Sequence, residues 1–230
     1  SGGTSTFVIK FDPAIVGMRN ASISITSNDP NESPYIFAIQ GNGTGPGSPL
    51  ACVPNFFQIY DDNGTIAYLD ATTDPYTYTT IAVAGYPING VGYNVEDGLL
   101  YGFERGDVVS GDYMVRIDAT GDITVLSSIT VPFSSWVADF NDSGDLYFVN
   151  PGDKNQFGVF DVSEGTVTTS LASGGDFLGA DMAFLDADDK FYGVNESTLY
   201  IYDPLYNTVS TESLTGKLTD DLAAGANGNM

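Results

Sequence analysis

Leu99-Leu100-Tyr101-Gly102-Phe103, Asp145-Leu146-Tyr147-Phe148-Val149 and Lys190-Phe191-Tyr192-Gly193-Val194 are three copies of one short apolar strand centred on a tyrosine, and the tyrosines fall 46 and then 45 residues apart. A repeat of that length belongs to propeller blades, each a sheet of four short strands. A strand containing Tyr93, Phe140 or Phe184 precedes each copy. A strand ending in aspartate follows each one, Met114 to Asp118, Phe157 to Asp161 and Leu199 to Asp203, and a Thr-rich strand comes next. An earlier copy shows in Phe56 to Tyr60, Ile66 to Asp70 and Tyr78 to Ile81, without an obvious first strand. Four units are therefore visible, and Leu222 to Asn227 reads as the opening strand of another. Either that strand returns to complete the first unit, or the repeats continue beyond this fragment, which is the expectation adopted here.

Composition narrows the function class. Thirty acidic against seven basic residues give a net charge of −23, which repels phosphate backbones and anionic lipid, so nucleic acid is not an expected partner. No run of about 18 apolar residues could span a bilayer, and direct membrane insertion is not expected. The lone Cys52 cannot form an internal disulfide. With no histidine, a Ser-His-Asp triad, a Cys-His pair and imidazole metal sites are excluded within this chain. The chain opens Ser1-Gly2-Gly3 without Met and is expected to start downstream of the parent's export signal.

Ahead of the repeats, apolar residues alternate with polar ones in three stretches: Phe7, Ile9, Phe11; Ala21, Ile23, Ile25; and Tyr35, Phe37, Ile39. This is the pattern of half-buried strands. Three strands cannot close a sandwich core, so the rest should lie upstream. Phe11-Asp12-Pro13, Gly17, Ala21 through the Ser27-Asn28-Asp29-Pro30 turn, and Tyr35 through Gly41-Asn42-Gly43 resemble the C-terminal half of the Hydin-like immunoglobulin-type domain of bacterial "choice-of-anchor" secreted proteins. The resemblance covers about residues 6–45 and implies a stalk module on an exported protein, without catalytic residues. The repeat likewise resembles domains that follow anchor-type modules in bacterial surface proteins. The expected organisation is a partial immunoglobulin-like β-sandwich over 1–45, a Gly/Pro linker over 46–54, and β-propeller repeats over 55–230, an all-β chain throughout.

Two sets of polar residues stand out. Asp70, Asp118, Asp161 and Asp203 recur at the end of the third strand of each unit, where a carboxylate can accept backbone amides of the hairpin that follows, so a structural turn role is expected. Asp61 and Asn63, Asn141 and Asp145, and Asp186 and Asp188 sit in acidic loops whose alternating oxygens suit calcium, although none has the bidentate glutamate of a complete calcium loop. No cofactor is expected, calcium at these loops being the one candidate. Six Asn-x-Ser/Thr sequons, at Asn20, Asn31, Asn42, Asn63, Asn141 and Asn195, arise readily in a chain this rich in turns. Trp136 and the tyrosines could stack on sugar rings, but alternating aromatics are expected to serve the core.

The leading expectation is a non-catalytic segment of an exported bacterial cell-surface protein, an adhesin or a surface-display stalk with a propeller binding module. The location would be extracellular or at the cell surface. A glycan or a cell-surface protein is the expected partner, beside other domains of a larger parent chain. Two alternatives are a propeller polysaccharide hydrolase with paired carboxylates and cargo of a bacterial secretion or gliding apparatus.

Overall fold

Short apolar stretches punctuated by Gly, Asn and Asp form antiparallel strands, and the computed structural model contains no helix among its described residues: 6, 17–28, 31, 33–43, 47–50, 55–105, 113–126 and 129–214. Two compact units emerge, Ser1–Pro46 and Gly47–Met230.

In the first unit β1 (Gly17–Ile25) pairs with β2 (Tyr35–Gly43) along its whole length. The period-2 pattern fixes the register, setting Ile23 opposite Phe37 and Ile25 opposite Tyr35. The expected strand over Phe7 to Phe11, like Cys52 and the strand over Leu222 to Asn227, lies outside the described residues.

The second unit is a four-blade propeller-type array. Blade 1 comprises β3 (Asn55–Tyr60), β4 (Thr65–Asp70) and β5 (Thr77–Val83). Blade 2 comprises β6 (Ile88–Asn94), β7 (Leu99–Glu104), β8 (Met114–Ile117) and β9 (Ile123–Val125). Blade 3 comprises β10 (Ala138–Phe140), β11 (Asp145–Val149), β12 (Gln156–Asp161) and β13 (Thr166–Leu171). Blade 4 comprises β14 (Ala183–Leu185), β15 (Lys190–Asn195), β16 (Thr198–Asp203) and β17 (Thr208–Ser213). The repeated tyrosines occupy one register position: Tyr101 faces Arg116, Tyr147 faces Val159 and Tyr192 faces Ile201, each partner two residues before the recurrent aspartate position.

The hydrophobic core lies between blades. Ile66 of blade 1 packs with Leu100, Val115 and Ile117 of blade 2. Leu99, Tyr101, Phe103 and Met114 pack with Phe140, Leu146, Phe148 and Phe160 of blade 3. Val149 and Phe157 meet Phe184, Phe191 and Tyr202 of blade 4, the Phe157 and Tyr202 rings stacking at 3.7 Å. Each inner sheet is covered on both faces, which is why β7 is a continuous apolar run and not an alternating one.

Residues 47–50, placed in the linker by the sequence reading, lie in the same compact unit as the blades and are bonded to blade 2. Ser48 donates its amide to Asp118 Oδ2 at 3.0 Å and Leu50 donates to the Gly98 carbonyl at 2.7 Å. Leu50 itself is buried. Glycine and proline here permit a tight run along the sheet, so their presence does not make this part of the segment a free tether.

Candidate functional site

The recurrent aspartates sit at hairpin entries. Asp118 Oδ1 accepts the Thr120 amide at 2.8 Å, the Thr120 hydroxyl at 2.7 Å and the Asp122 amide at 2.9 Å, while Oδ2 accepts the Ser48 amide. Asp70 Oδ1 accepts the amide and hydroxyl of Thr72 at 2.8 and 2.6 Å. Asp161 Oδ1 accepts the Ser163 hydroxyl at 2.8 Å and the Glu164 amide at 2.9 Å. Asp203 accepts the Tyr206 amide at 3.2 Å and lies 3.4 Å from Lys190 Nζ. Desolvation pushes the Asp118 and Asp161 carboxyls up, but the bonds they accept outweigh it and hold both below the ordinary range.

The calcium candidates are scattered over three hairpins. Asp61, at φ 64°, accepts the Asn63 amide at 2.9 Å and the Thr65 amide at 3.3 Å on Oδ1, and the Thr65 hydroxyl at 2.8 Å on Oδ2. Asn141 Oδ1 accepts the Ser143 and Asp145 amides at 3.1 and 2.8 Å, and its Nδ2 donates to Asp145 Oδ2 at 3.2 Å. Asp188 accepts the Tyr192 hydroxyl, and Asp186 is exposed. Among the described residues no three acidic or sulfur ligands converge on one point. Local chain reversal accounts for most of these contacts.

What the structure does bring together is a groove at one end of the sheets. The β3–β4 turn, the segment entering β6, the end of β7 and the segment entering β10 all emerge there, because adjacent antiparallel strands reverse direction. The cavity measures about 470 Å³ and is lined by Tyr60, Asp61, Asp62, Asn89, Arg105 and Trp136 over a floor that includes Ile88. Trp136 is 52% exposed, and the Arg105 guanidinium lies over its ring at 4.5 Å. The expectation that the aromatics serve the core therefore fails for Trp136: it precedes β10 and belongs to no strand.

The groove is rigidly supported. Ser135, fully buried, places its hydroxyl 2.8 Å from the Val137 carbonyl and 2.6 Å from the Val149 carbonyl, and accepts the Val137 amide, tying the Trp136 segment to blade 3. Opposite it, the register of β6 against β7 slips between Asn89 and Gly92, and Gly90 has φ 56°. A β-carbon on Gly90 would come within 2.7 Å of the Ser135 carbonyl, so only glycine lets β6 approach. Such a bulge turns the neighbouring side chain, here Asn89, out of the regular pleat. Arg105 is positioned by donating its amide to the Pro87 carbonyl at 2.7 Å.

Several ionisable residues that the sequence reading missed are buried elsewhere. Desolvation raises Asp139 to about 7; its Oδ2 accepts the Phe184 amide of blade 4 at 2.8 Å. Asp97 accepts the Tyr101 hydroxyl at 2.6 Å, and burial raises both groups. Glu104 is 4% exposed with no hydrogen-bond partner for either oxygen, and burial raises it too. Strand alternation points it to the opposite side of the chain from Arg105. None of these acids lines the groove. The Tyr–Asp pair did leave a trace in sequence, since Asp97 and Asp188 each stand four residues before the repeated tyrosine.

A family model described as "Repeat of unknown function (DUF6923)" matches residues 56–229. No curated protein matches the chain. Solved structures similar to it include virginiamycin B lyase from Staphylococcus aureus, at 14% identity and TM-score 0.48 over 79% of this chain and 61% of that one. An auxiliary nutrient binding protein from Bacteroides thetaiotaomicron has 14% identity and TM-score 0.48 over 72% and 40%. Hydrazine synthase from Kuenenia stuttgartiensis has 15% identity and TM-score 0.47 over 70% and 46%. The chain spans less than two thirds of the length of each of the three.

Proposed function

The chain belongs to the DUF6923 repeat family, and on that footing we propose that it is a non-catalytic recognition segment of an exported bacterial surface protein. The observation that carries this reading is the groove around Trp136: an exposed tryptophan on a braced backbone, at the loop end of a rigid propeller scaffold. Exposed aromatics in a preformed depression mark contact surfaces, because they bury large area with little loss of side-chain freedom. The same groove supports a binding role over hydrolysis. Both Asp61 oxygens are committed to the turn through Asn63 and Thr65, leaving Asp62 as the carboxylate available among its lining residues. Acid–base cleavage of a glycosidic bond needs two carboxylates facing each other across the substrate.

On the resemblance carried by residues 6–45, the β1–β2 hairpin is the end of an immunoglobulin-type stalk that sets this recognition surface away from the cell. The charge of −23 fits a surface protein in salty medium, where screening relieves self-repulsion. The test is a turnover screen of the purified chain against polysaccharide, ester and peptide substrates. No turnover is expected. Hydrolysis abolished by Asp62→Asn or by another single carboxylate substitution would overturn the proposal.

A further inference from the structure

We propose that the groove bounded by Trp136, Tyr60, Arg105, Asp62 and Asn89 is a binding site for a neutral saccharide, one ring of which lies against Trp136. The inference rests on the recognition reading above and names the ligand class. Its basis is the combination of groups and their support.

A pyranose has an apolar face of C–H bonds and a rim of hydroxyls that both donate and accept. A complementary site needs an aromatic plane beside charged or amide groups, at fixed spacing, open enough to admit a chain. Trp136, 52% exposed, provides the plane with the ring face that the Arg105 guanidinium does not cover, and Tyr60, 40% exposed, adds a second aromatic wall. Around them stand the Arg105 guanidinium, the Asp62 carboxylate and the Asn89 amide, whose Oδ1 also accepts the Gly90 amide at 2.9 Å; groups of these kinds take vicinal hydroxyls in pairs. The cavity of about 470 Å³ falls within the span of small-ligand sites, roughly 300–1,000 Å³.

Support distinguishes this aromatic from the other exposed ones. Tyr206, 72% exposed, sits at the tip of the β16–β17 hairpin. Trp136 instead follows the fully buried Ser135, whose hydroxyl spans two carbonyls and whose own carbonyl abuts the bulge at Gly90. A preformed plane spares the binding cost of ordering it.

Charge settles which saccharides fit. Asp61 and Asp62 share the groove with the single cation Arg105 among its lining residues, and the chain as a whole carries −23. Uronates and sulfated glycans meet a repulsive field, whereas neutral hexoses do not.

Trp136 is the chain's only tryptophan, so its fluorescence reports on the site directly. The full chain is titrated with neutral gluco-, galacto- and manno-oligosaccharides and, in parallel, with oligogalacturonate. Retention on the matching insoluble polysaccharides is measured with and without calcium. The expected result is a saturable change in Trp136 emission with at least one neutral series, independent of calcium. Trp136→Ala should weaken retention at least tenfold, Trp136→Phe should restore part of it, and Tyr206→Ala should leave it unchanged. Circular dichroism checks that the variants fold. Absence of any emission change and of retention across the neutral series overturns the inference. Tighter binding of oligogalacturonate, or equal loss in Tyr206→Ala, overturns it as well. Turnover, by contrast, would overturn the non-catalytic reading while leaving saccharide binding in place.

Discussion

Asp118 holds more of its surroundings than its three counterparts, because it alone receives bonds from its own hairpin and from Ser48 at the start of the unit. Removing the carboxylate takes the shared acceptor from those part-buried donors, so Asp118→Ala is expected to cost about 1–2 kcal/mol in chemical denaturation at neutral pH. Asp203→Ala should cost less, since its counterpart bond is longer and its ion pair with Lys190 is partly exposed. The Asp118 carboxyl lies below its ordinary value in the folded chain, so its contribution is present above about pH 4 and is lost as pH falls through the folded value. The gap in Tm between wild type and Asp118→Ala should therefore hold from pH 8 to 5 and narrow below 4. A gap independent of pH would show that the carboxylate charge is irrelevant. Size is matched as closely as charge. The residue after each repeated tyrosine is Gly102, Phe148 or Gly193, and its cross-strand partner is Val115, Gly158 or Tyr200 respectively. Each pair has one glycine. A β-carbon on Gly158 would clash with the tip of the Phe148 ring, so Gly158→Ala is expected to destabilise by about 1–3 kcal/mol, measured by urea unfolding.

At the scale of elements, the blades are joined by side chains and by hydrogen bonds that cross between them, among them Phe184 N to Asp139 Oδ2, between β10 and β14, and Asn207 Nδ2 to the Leu171 carbonyl, between blades 4 and 3. Desolvation raises Asp139 to about 7, aided by the Asp181 charge and opposed by the Phe184 and Phe140 amides. Between about pH 4 and 7 the folded chain binds a proton there that the unfolded chain does not, so this group makes stability fall as pH rises through that window. Asp139→Asn keeps an acceptor for Phe184 and carries no charge. Its Tm should exceed that of wild type at pH 8, and the difference should vanish near pH 4. A variant less stable than wild type at pH 8 would mean that the ionised form is the one the interface requires.

Across the whole repeat unit, stability is shared between neighbours because every buried cluster is built from two blades. Phe140 stands at the centre of the cluster joining blades 2 and 3, fully buried and 5.5 Å from the Tyr101 ring. Phe140→Ala is expected to cost about 3–5 kcal/mol. In hydrogen exchange it should lower the protection of β7 and β11 together. Loss confined to blade 3 would show that the blades open independently.

The order and register of the strands were legible in the chain, because a 45-residue spacing of the tyrosine strand, strand-end aspartates and turn residues between apolar runs are local properties that a backbone obeys wherever it is placed. Asp61 and Asn141 were legible as oxygen-rich loops for the same reason, though their side-chain oxygens turn inward to satisfy their own hairpins. The groove was not legible. Asp62, Arg105 and Trp136 come from three connections and Asn89 from the start of β6, all separated in sequence, and nothing at the level of periodicity tells an exposed tryptophan from a core one. Their convergence depends on how adjacent blades pack and on Gly90 yielding to the Ser135 carbonyl. The raised Asp139 likewise follows from burial between two sheets. Sequence by itself determined the strands, because hydrogen bonding and side-chain alternation act between near neighbours. The tertiary structure decided which polar groups are desolvated and which face solvent together, because both depend on packing between segments far apart in the chain.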